Sequence, residues 1–502
     1  MREPPPTSLV FSLPPDAREA FENAVFNSTE ARAGRASGGT CRRVWLDTSG
    51  EALRRAELSL SLRMEGRLRW LRPRRWPDER ISGWREIPCQ DAVAGCDALP
   101  PAFLIRAGEA FEARDLAPTF DSALAWRERS FRQGNKTISA RIEHGDVGAG
   151  TRRLPLCHVV LQARTGGLDD LFSFARSLRA RSRLRPDFTG SALKGFLIAD
   201  GVWGRSGIKW PIRIDARMNA GEACEEILWG GLRQLSLELA AFGQGADSDA
   251  IHQTRVALRR MRASLALFQP FLRDLEFERL RAELRSLFTA LGGARDLDVM
   301  LERLASGAPG APTFESVSLA DIERRRDAAH RAARDELAST RCDDLLFDLA
   351  QFARAGAWRR CRDADQARLR GLAVGDFAAR RTQRRRDDLS DLVERFDDLD
   401  SDGLHDLRKR TKTLRYFSEF LEPLATREKA RGRFQQGVRA LSELQETLGK
   451  VHDIDALETF VEAGEQLNVP AAATAERRAR LVRKGRRQAK KAAKAKPFLK
   501  RD

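Results

Sequence analysis

An internal repeat constrains this chain more than any other feature. Residues 251–262 read IHQTRVALRRMR and place His252, Arg255, Arg259 and Arg262 at spacings of three, four and three. Those spacings line one face of an α-helix. A shift of 153 residues carries the four onto His405, Arg408, Lys412 and Arg415, in HDLRKRTKTLR. Further on the shift becomes 157: Leu284, Leu287, Leu291 and Gly292 fall on Leu441, Leu444, Leu448 and Gly449, and Asp296 and Asp298 on Asp453 and Asp455. A loop insertion between helices produces such a drift. Each copy therefore reads as helix, turn, helix, Leu-Gly, and then an Asp-x-Asp expected to cap a further helix start or to pair with basic residues.

Around the repeat, Leu, Ala and Arg dominate and β-branched residues are few, a composition that favours helix. Helices are expected over 223–242, 249–268, 273–291, 296–304, 319–340, 342–355, 377–396, 403–421, 430–447 and 453–463. The helical region spans 222–465, with repeat units of about 222–340 and 341–465. Beyond it, 466–502 is a basic tail. Its segment 477–501 holds thirteen Lys or Arg and no acid; its alanine content could allow a helix, but self-repulsion predicts disorder in the free state.

The doubled motif, with its downstream Leu-Gly and Arg/His-Asp-x-Asp, resembles the CHAD domain (conserved histidine α-helical domain). The resemblance implies an all-α domain of two pseudo-symmetric four-helix units whose basic faces meet and bind inorganic polyphosphate. The residues carried over are His252, Arg255, Arg259, Arg262, His405, Arg408, Lys412 and Arg415. Arginine offers phosphate oxygens a rigid fork of donors, and lysine adds a mobile point charge. Arg260 and Lys409 lie off the stripe by helix phase, and His452 stands where the first copy has Arg295; all three are further candidate contacts.

Residues 1–205 read differently. Short alternating runs at 8–13, from 42 onward (RRVWLDT, LSLSLRME, RLRWLRP), and at 123–131, 137–143 and 157–163 predict an antiparallel sheet or barrel. Helices are expected at 16–25 and 169–181. The segments at 45–66, 154–167 and 183–198 resemble, in order, those of CYTH domains, the triphosphate tunnel metalloenzyme fold. That resemblance implies a closed β-barrel tunnel, and hence an α+β multidomain chain.

The opening SLVFSL lacks the family's Glu-x-Glu-x-Lys, and His158, Val160, Gln162 and Arg164 replace its late glutamates and lysine. Metal-assisted phosphoryl chemistry needs inward carboxylates. Glu143 is the one acid on the middle strands expected to share a face with an arginine, Arg141. The domain is therefore read as a non-catalytic descendant, with no catalytic residue, no metal and no cofactor assigned. Arg63, Arg67 and Arg69 share parity, and Arg63 and Arg141 are candidate anion contacts. Ser191 and Lys194 correspond to the family's closing Ser-Lys pair.

Charge supports a polyanionic partner: 89 Lys and Arg against 72 Asp and Glu give a net +17. The seven cysteines include no close pair, which fits a reducing compartment. No apolar run is long enough to cross a bilayer, and the expected location is cytoplasmic, with possible attachment to polyphosphate or other storage granules. The expected function is polyphosphate binding. Two alternatives are a metal-dependent triphosphate or polyphosphate hydrolase using the N-terminal tunnel, and a nonspecific nucleic-acid or granule-associated protein acting through the tail.

Overall fold

The computed structural model describes residues 8–26, 34–56, 58–65, 68–75, 79–80, 87–88, 115–209, 211–243, 247–305, 313–314, 319–462, 467–468 and 471–499. Arg67, Cys89 and Cys96 lie outside these residues, and the side chain of Arg69 is outside the description. The chain divides into two units, Met1–Arg205 and Ser206–Asp502. No helix among the described residues is long and apolar enough to cross a membrane.

The first unit is built on one antiparallel sheet. Its seven longer strands are β1 (Ser8–Ser12), β2 (Ser37–Thr48), β3 (Leu58–Glu65), β4 (Leu68–Arg75), β7 (Leu116–Gln133), β8 (Lys136–Ala149) and β9 (Arg152–Thr165). Three two-residue strands complete it: β5 (Glu79–Arg80), β6 (Ile87–Pro88) and β10 (Arg185–Pro186). The order is β10-β1-β9-β8-β7-β2-β3-β4-β5, with β6 also on β4.

This sheet is open, which corrects the expected closed barrel. Among the described residues no ladder joins the β1 edge to the β4 edge. Both edges are already occupied. The outer side of β1 pairs with β10, Phe11 opposite Pro186, and that of β4 pairs with β5 and β6, Trp70 opposite Pro88. Very short strands carrying proline are a common way to end a sheet without leaving a long free edge.

Four helices flank the sheet. Arg127 of β7 pairs with Glu22 of α1 (Arg18–Phe26), and Phe131 meets Phe174 of α3 (Leu168–Arg179) on the same face. The opposite face is hollow. Trp45 stacks on Phe120 there, and Phe196 of α4 (Gly190–Ala199) meets Phe120 edge-on. The short α2 (Ala52–Arg55) begins where the Asp47 carboxylate accepts hydrogen bonds from the amides of Leu53 and Arg54. Thr48 Oγ1 accepts from the amide of Ala52 at 3.0 Å, so Asp47 and Thr48 together hold the start of this helix.

The second unit is all-α. It comprises α5 (Ala220–Gly243), α6 (Asp247–Leu272), α7 (Leu275–Ala290), α8 (Gly292–Ala305), α9 (Leu319–Ala338), α10 (Thr340–Ala355), α11 (Ala364–Gly371), α12 (Val374–Glu394), α13 (Ser401–Phe420), α14 (Glu428–Glu462) and α15 (Ala471–Lys494). The first bundle is α5, α6, the broken α7–α8 pair and α9; the second is α12, α13, α14 and α15. Asp274 and Asp400 cap α7 and α13, accepting from the amides of Phe277 and Gly403. Pro270 removes a backbone donor inside α6. Arg381 of α12 satisfies the carbonyls nearby, donating to Ala266 at 2.8 Å and Leu267 at 2.9 Å.

Two sequence expectations fail here. Residues 430–447 and 453–463 were expected as separate helices, but α14 runs through Gly449 without a break. One glycine costs a helix only about 1 kcal/mol, and packing on both neighbours outweighs it. Asp453 and Asp455 therefore lie inside a helix and cap nothing, and Asp296 and Asp298 lie past the first turn of α8.

The second failure is the tail. Most of it is α15, the closing helix of the second bundle. Ala489 and Ala492 are buried in a core with Leu389, Phe396, Leu444 and Leu448, and Leu481 and Val482 pack against it. Asp455 anchors this helix through Arg478 at 2.6 Å, as Asp298 in the first copy meets His330 of α9 at 2.9 Å. The second aspartate of each pair thus binds its own bundle's last helix.

Candidate functional site

The two basic stripes lie on α6 and α13, which pack against each other. They come close enough to act on one another. Lys412 is pushed down to about 7, first by burial and then by the charges of Arg259, Arg408, Arg415 and Arg255. Burial also lowers Arg408, with Arg259 of the facing helix adding repulsion. Arg255 and Arg262 are lowered mainly by burial.

The supporting helices hold these cations in matched ways. Arg255 donates to the carbonyl of Phe288 at 2.8 Å, and its guanidinium lies 4.2 Å from the centre of that ring. Arg262 and Arg259 approach the same ring at 5.1 and 5.8 Å. In the second copy Gln445 replaces Phe288 and accepts from Arg415 at 3.0 Å. Gly292 and Gly449 each lie directly beneath the equivalent arginines, Arg255 and Arg408. The glycine of the repeat therefore sits against a guanidinium and is not a helix stop in the second copy.

The histidines sit at one end of the stripes. His405 and His452 approach Nδ1 to Nδ1 at 3.3 Å, their rings 4.5 Å apart. All three groove histidines are held below the ordinary value, first by burial. Arg295 adds to this at His252, His452 at His405, and Arg408 at His452. Lys409 is exposed but close enough to contribute to His405. Arg260 turns away from the stripe, pairing with Glu419 at 2.7 Å beside Phe420.

The model of the CHAD domain family matches residues 226–462. This region is a CHAD domain. A solved structure of the CHAD domain from the plant Ricinus communis is 25% identical, covering 57% of this chain and 97% of that one with a TM-score of 0.43. Structures similar to the first unit include a putative adenylate cyclase from Bacillus halodurans, at 9% identity over 36% of this chain and 91% of that one, TM-score 0.27. Another is a putative adenylyl cyclase from Hippeastrum with a dominant triphosphatase activity, at 11% over 39% and 96%, TM-score 0.28. No curated protein matches the chain.

Within the CHAD domain the sequence reading missed Arg281 and Arg285, which add to the repulsion on Arg262. With Phe288, Gly292 and Arg295 they form a line at spacings of four, three, four and three along α7 and α8. That periodicity was available in the sequence. The second copy hides it, since the corresponding positions are Val438, Ser442, Gln445, Gly449 and His452.

Arg63 and Arg141 belong to the first unit. Both line a cavity of about 310 Å³ on the hollow face of the sheet, with Arg43, Arg164, His158 and Ser191. Glu143 pairs with Arg43 at 3.1 Å and Arg141 at 2.9 Å. Glu128 also faces this cavity, pairing with Arg164 at 2.7 Å and Arg141 at 3.6 Å. This corrects the expectation of a single inward acid, because the register places Glu128 directly opposite Arg141. At the cavity wall His158, Lys194 and the buried carboxylate of Asp187 form one cluster. Lys194 lies 2.8 Å from His158, and both hold Asp187 well below the usual carboxylate range against the opposing effect of burial. Among the described residues no group of three His, Cys, Asp or Glu converges to hold a metal ion.

Proposed function

We propose that the CHAD domain binds inorganic polyphosphate along the facing stripes of α6 and α13. The observation that carries this reading is Lys412, half-buried among four arginines with no ion-pair or hydrogen-bond partner among the described residues. Clustered like charges destabilise the empty fold, and a linear polyanion relieves that repulsion. Cations one helical turn apart are about 5–6 Å from each other, so one stripe can follow several phosphates. Two facing stripes hold the chain from both sides. In the first unit the carboxylates that could bind a metal are already engaged by arginines, and this favours a non-catalytic role there.

The test is titration of polyphosphate into the full chain and into an Arg259→Ala/Lys412→Ala variant at fixed ionic strength. The expected result is at least about a tenfold loss of affinity, as for removing charge-assisted contacts. Unchanged affinity overturns the reading.

A further inference from the structure

The last helix carries a second cationic track, on a face the groove does not use. Arg480, Arg483, Arg487, Lys490 and Lys494 follow one another at spacings of three, four, three and four. All five are exposed, and none has an ion-pair or hydrogen-bond partner among the described residues. The buried side of the same helix is Thr474, Gly485, Ala489 and Ala492. At 100° per residue the two sets are centred on opposite sides of the helix. Other basic residues of α15 are held by the bundle: Arg478 by Asp455, Arg486 by Asp397 and Lys491 by Glu443. The five therefore stand apart as an outward row, about 21 Å long, on a helix fixed by packing.

We propose that this row is a docking surface for the phosphate backbone of double-stranded nucleic acid. An exposed row on the outer side of a single helix is convex, so it suits the outside of a broad, rigid rod better than a thin flexible chain. Neither aromatic side chains for stacking bases nor carboxamides for reading their edges stand among the five, so recognition rests on charge alone. A duplex presents about one negative charge per 1.7 Å, enough to engage every member of the row. Binding is independent of base sequence and separate from the groove.

The test measures fluorescence anisotropy of a labelled 20-base-pair DNA duplex with the full chain over a range of KCl concentrations. The variant combines Arg480→Gln, Arg483→Gln, Arg487→Gln, Lys490→Gln and Lys494→Gln, all on the exposed face. Duplex affinity is expected to fall, and the log–log salt slope to shrink by about 4. Polyphosphate affinity should stay within twofold of the parent. A variant with only Arg480→Lys, Arg483→Lys and Arg487→Lys keeps the charge, and should keep the slope. In the reverse experiment Arg259→Ala/Lys412→Ala should retain duplex binding. An unchanged duplex slope in the five-fold variant overturns the proposal, as does an equal loss of duplex and polyphosphate binding. Loss of duplex binding in the charge-conserving variant overturns it too.

Discussion

His405 on α13 and His452 on α14 meet Nδ1 to Nδ1 at 3.3 Å, in a setting that also holds Lys409, Arg408 and Lys412. Two imidazoles in that arrangement resist a second proton. Both are depressed below 6.5. Without ligand, the unfolded chain takes up these protons first as pH falls below about 6.5, and stability drops. A bound polyanion reverses the bias, so binding should take up protons. Calorimetry in buffers of differing ionisation enthalpy at pH 6.5 should show this uptake, reduced in His405→Gln.

Lys412 gives a second pH window. Its folded value of about 7 lies below its ordinary 10.5. Between those values the unfolded state holds the proton and the folded state has released it, so stability rises with pH across that range. Lys412→Met should flatten the rise and increase Tm at pH 7. The same variant should weaken polyphosphate binding about tenfold to a hundredfold, the loss of one charge-assisted contact. Melting curves from pH 7 to 9 beside binding isotherms test both effects.

In the first unit, Lys194→Met strips the buried Asp187 carboxylate of its lysine counter-charge, leaving His158 beside Oδ2 and the donors of Thr189 and Gly190 on Oδ1. Such a break costs about 3–5 kcal/mol. Adding Asp187→Asn removes the stranded charge and should recover part of that loss. Urea denaturation of the parent, the single variant and the double variant measures the difference.

Two glycine substitutions should move in opposite directions. A Cβ at Gly449 finds its nearest atoms at 3.7 and 3.8 Å, so Gly449→Ala should stabilise α14 by about 1 kcal/mol. A Cβ at Gly195 would lie 2.0 Å from the Phe120 ring, which is stacked on Trp45. Gly195→Ala should destabilise by at least about 1–3 kcal/mol, the range for overpacking. Thermal melts distinguish the two.

The repeat made the basic stripes legible, because a helix-phase pattern of charge survives without knowledge of tertiary contacts. The pairing of Arg259 with Arg408 and Lys412 across α6 and α13 was not legible, since it depends on which faces the two bundles turn to one another. The Asp-x-Asp motif was legible as a set of partners for basic residues, as Asp455 with Arg478 shows, but not as the interior of a helix: a single glycine suggests a stop, while the decision rests with α13 and α15 packed along α14. The tail was misread because thirteen cations obscure a buried row of small residues, Gly485, Ala489 and Ala492. In the first unit, alternation identified the strands but not their edges. Whether β1 and β4 meet is decided by β10, β5 and β6, each too short to announce itself.

Because α15 closes the second bundle, the order of synthesis matters. The helices of the first bundle, with α10 packed on α5 and α7, are complete by residue 355, while the second lacks a wall until residue 494 has been made. On the ribosome the first bundle can fold early. Its counterpart must keep Leu389, Leu444 and Leu448 uncovered until α15 emerges, and that interval is when a nascent chain most needs a chaperone.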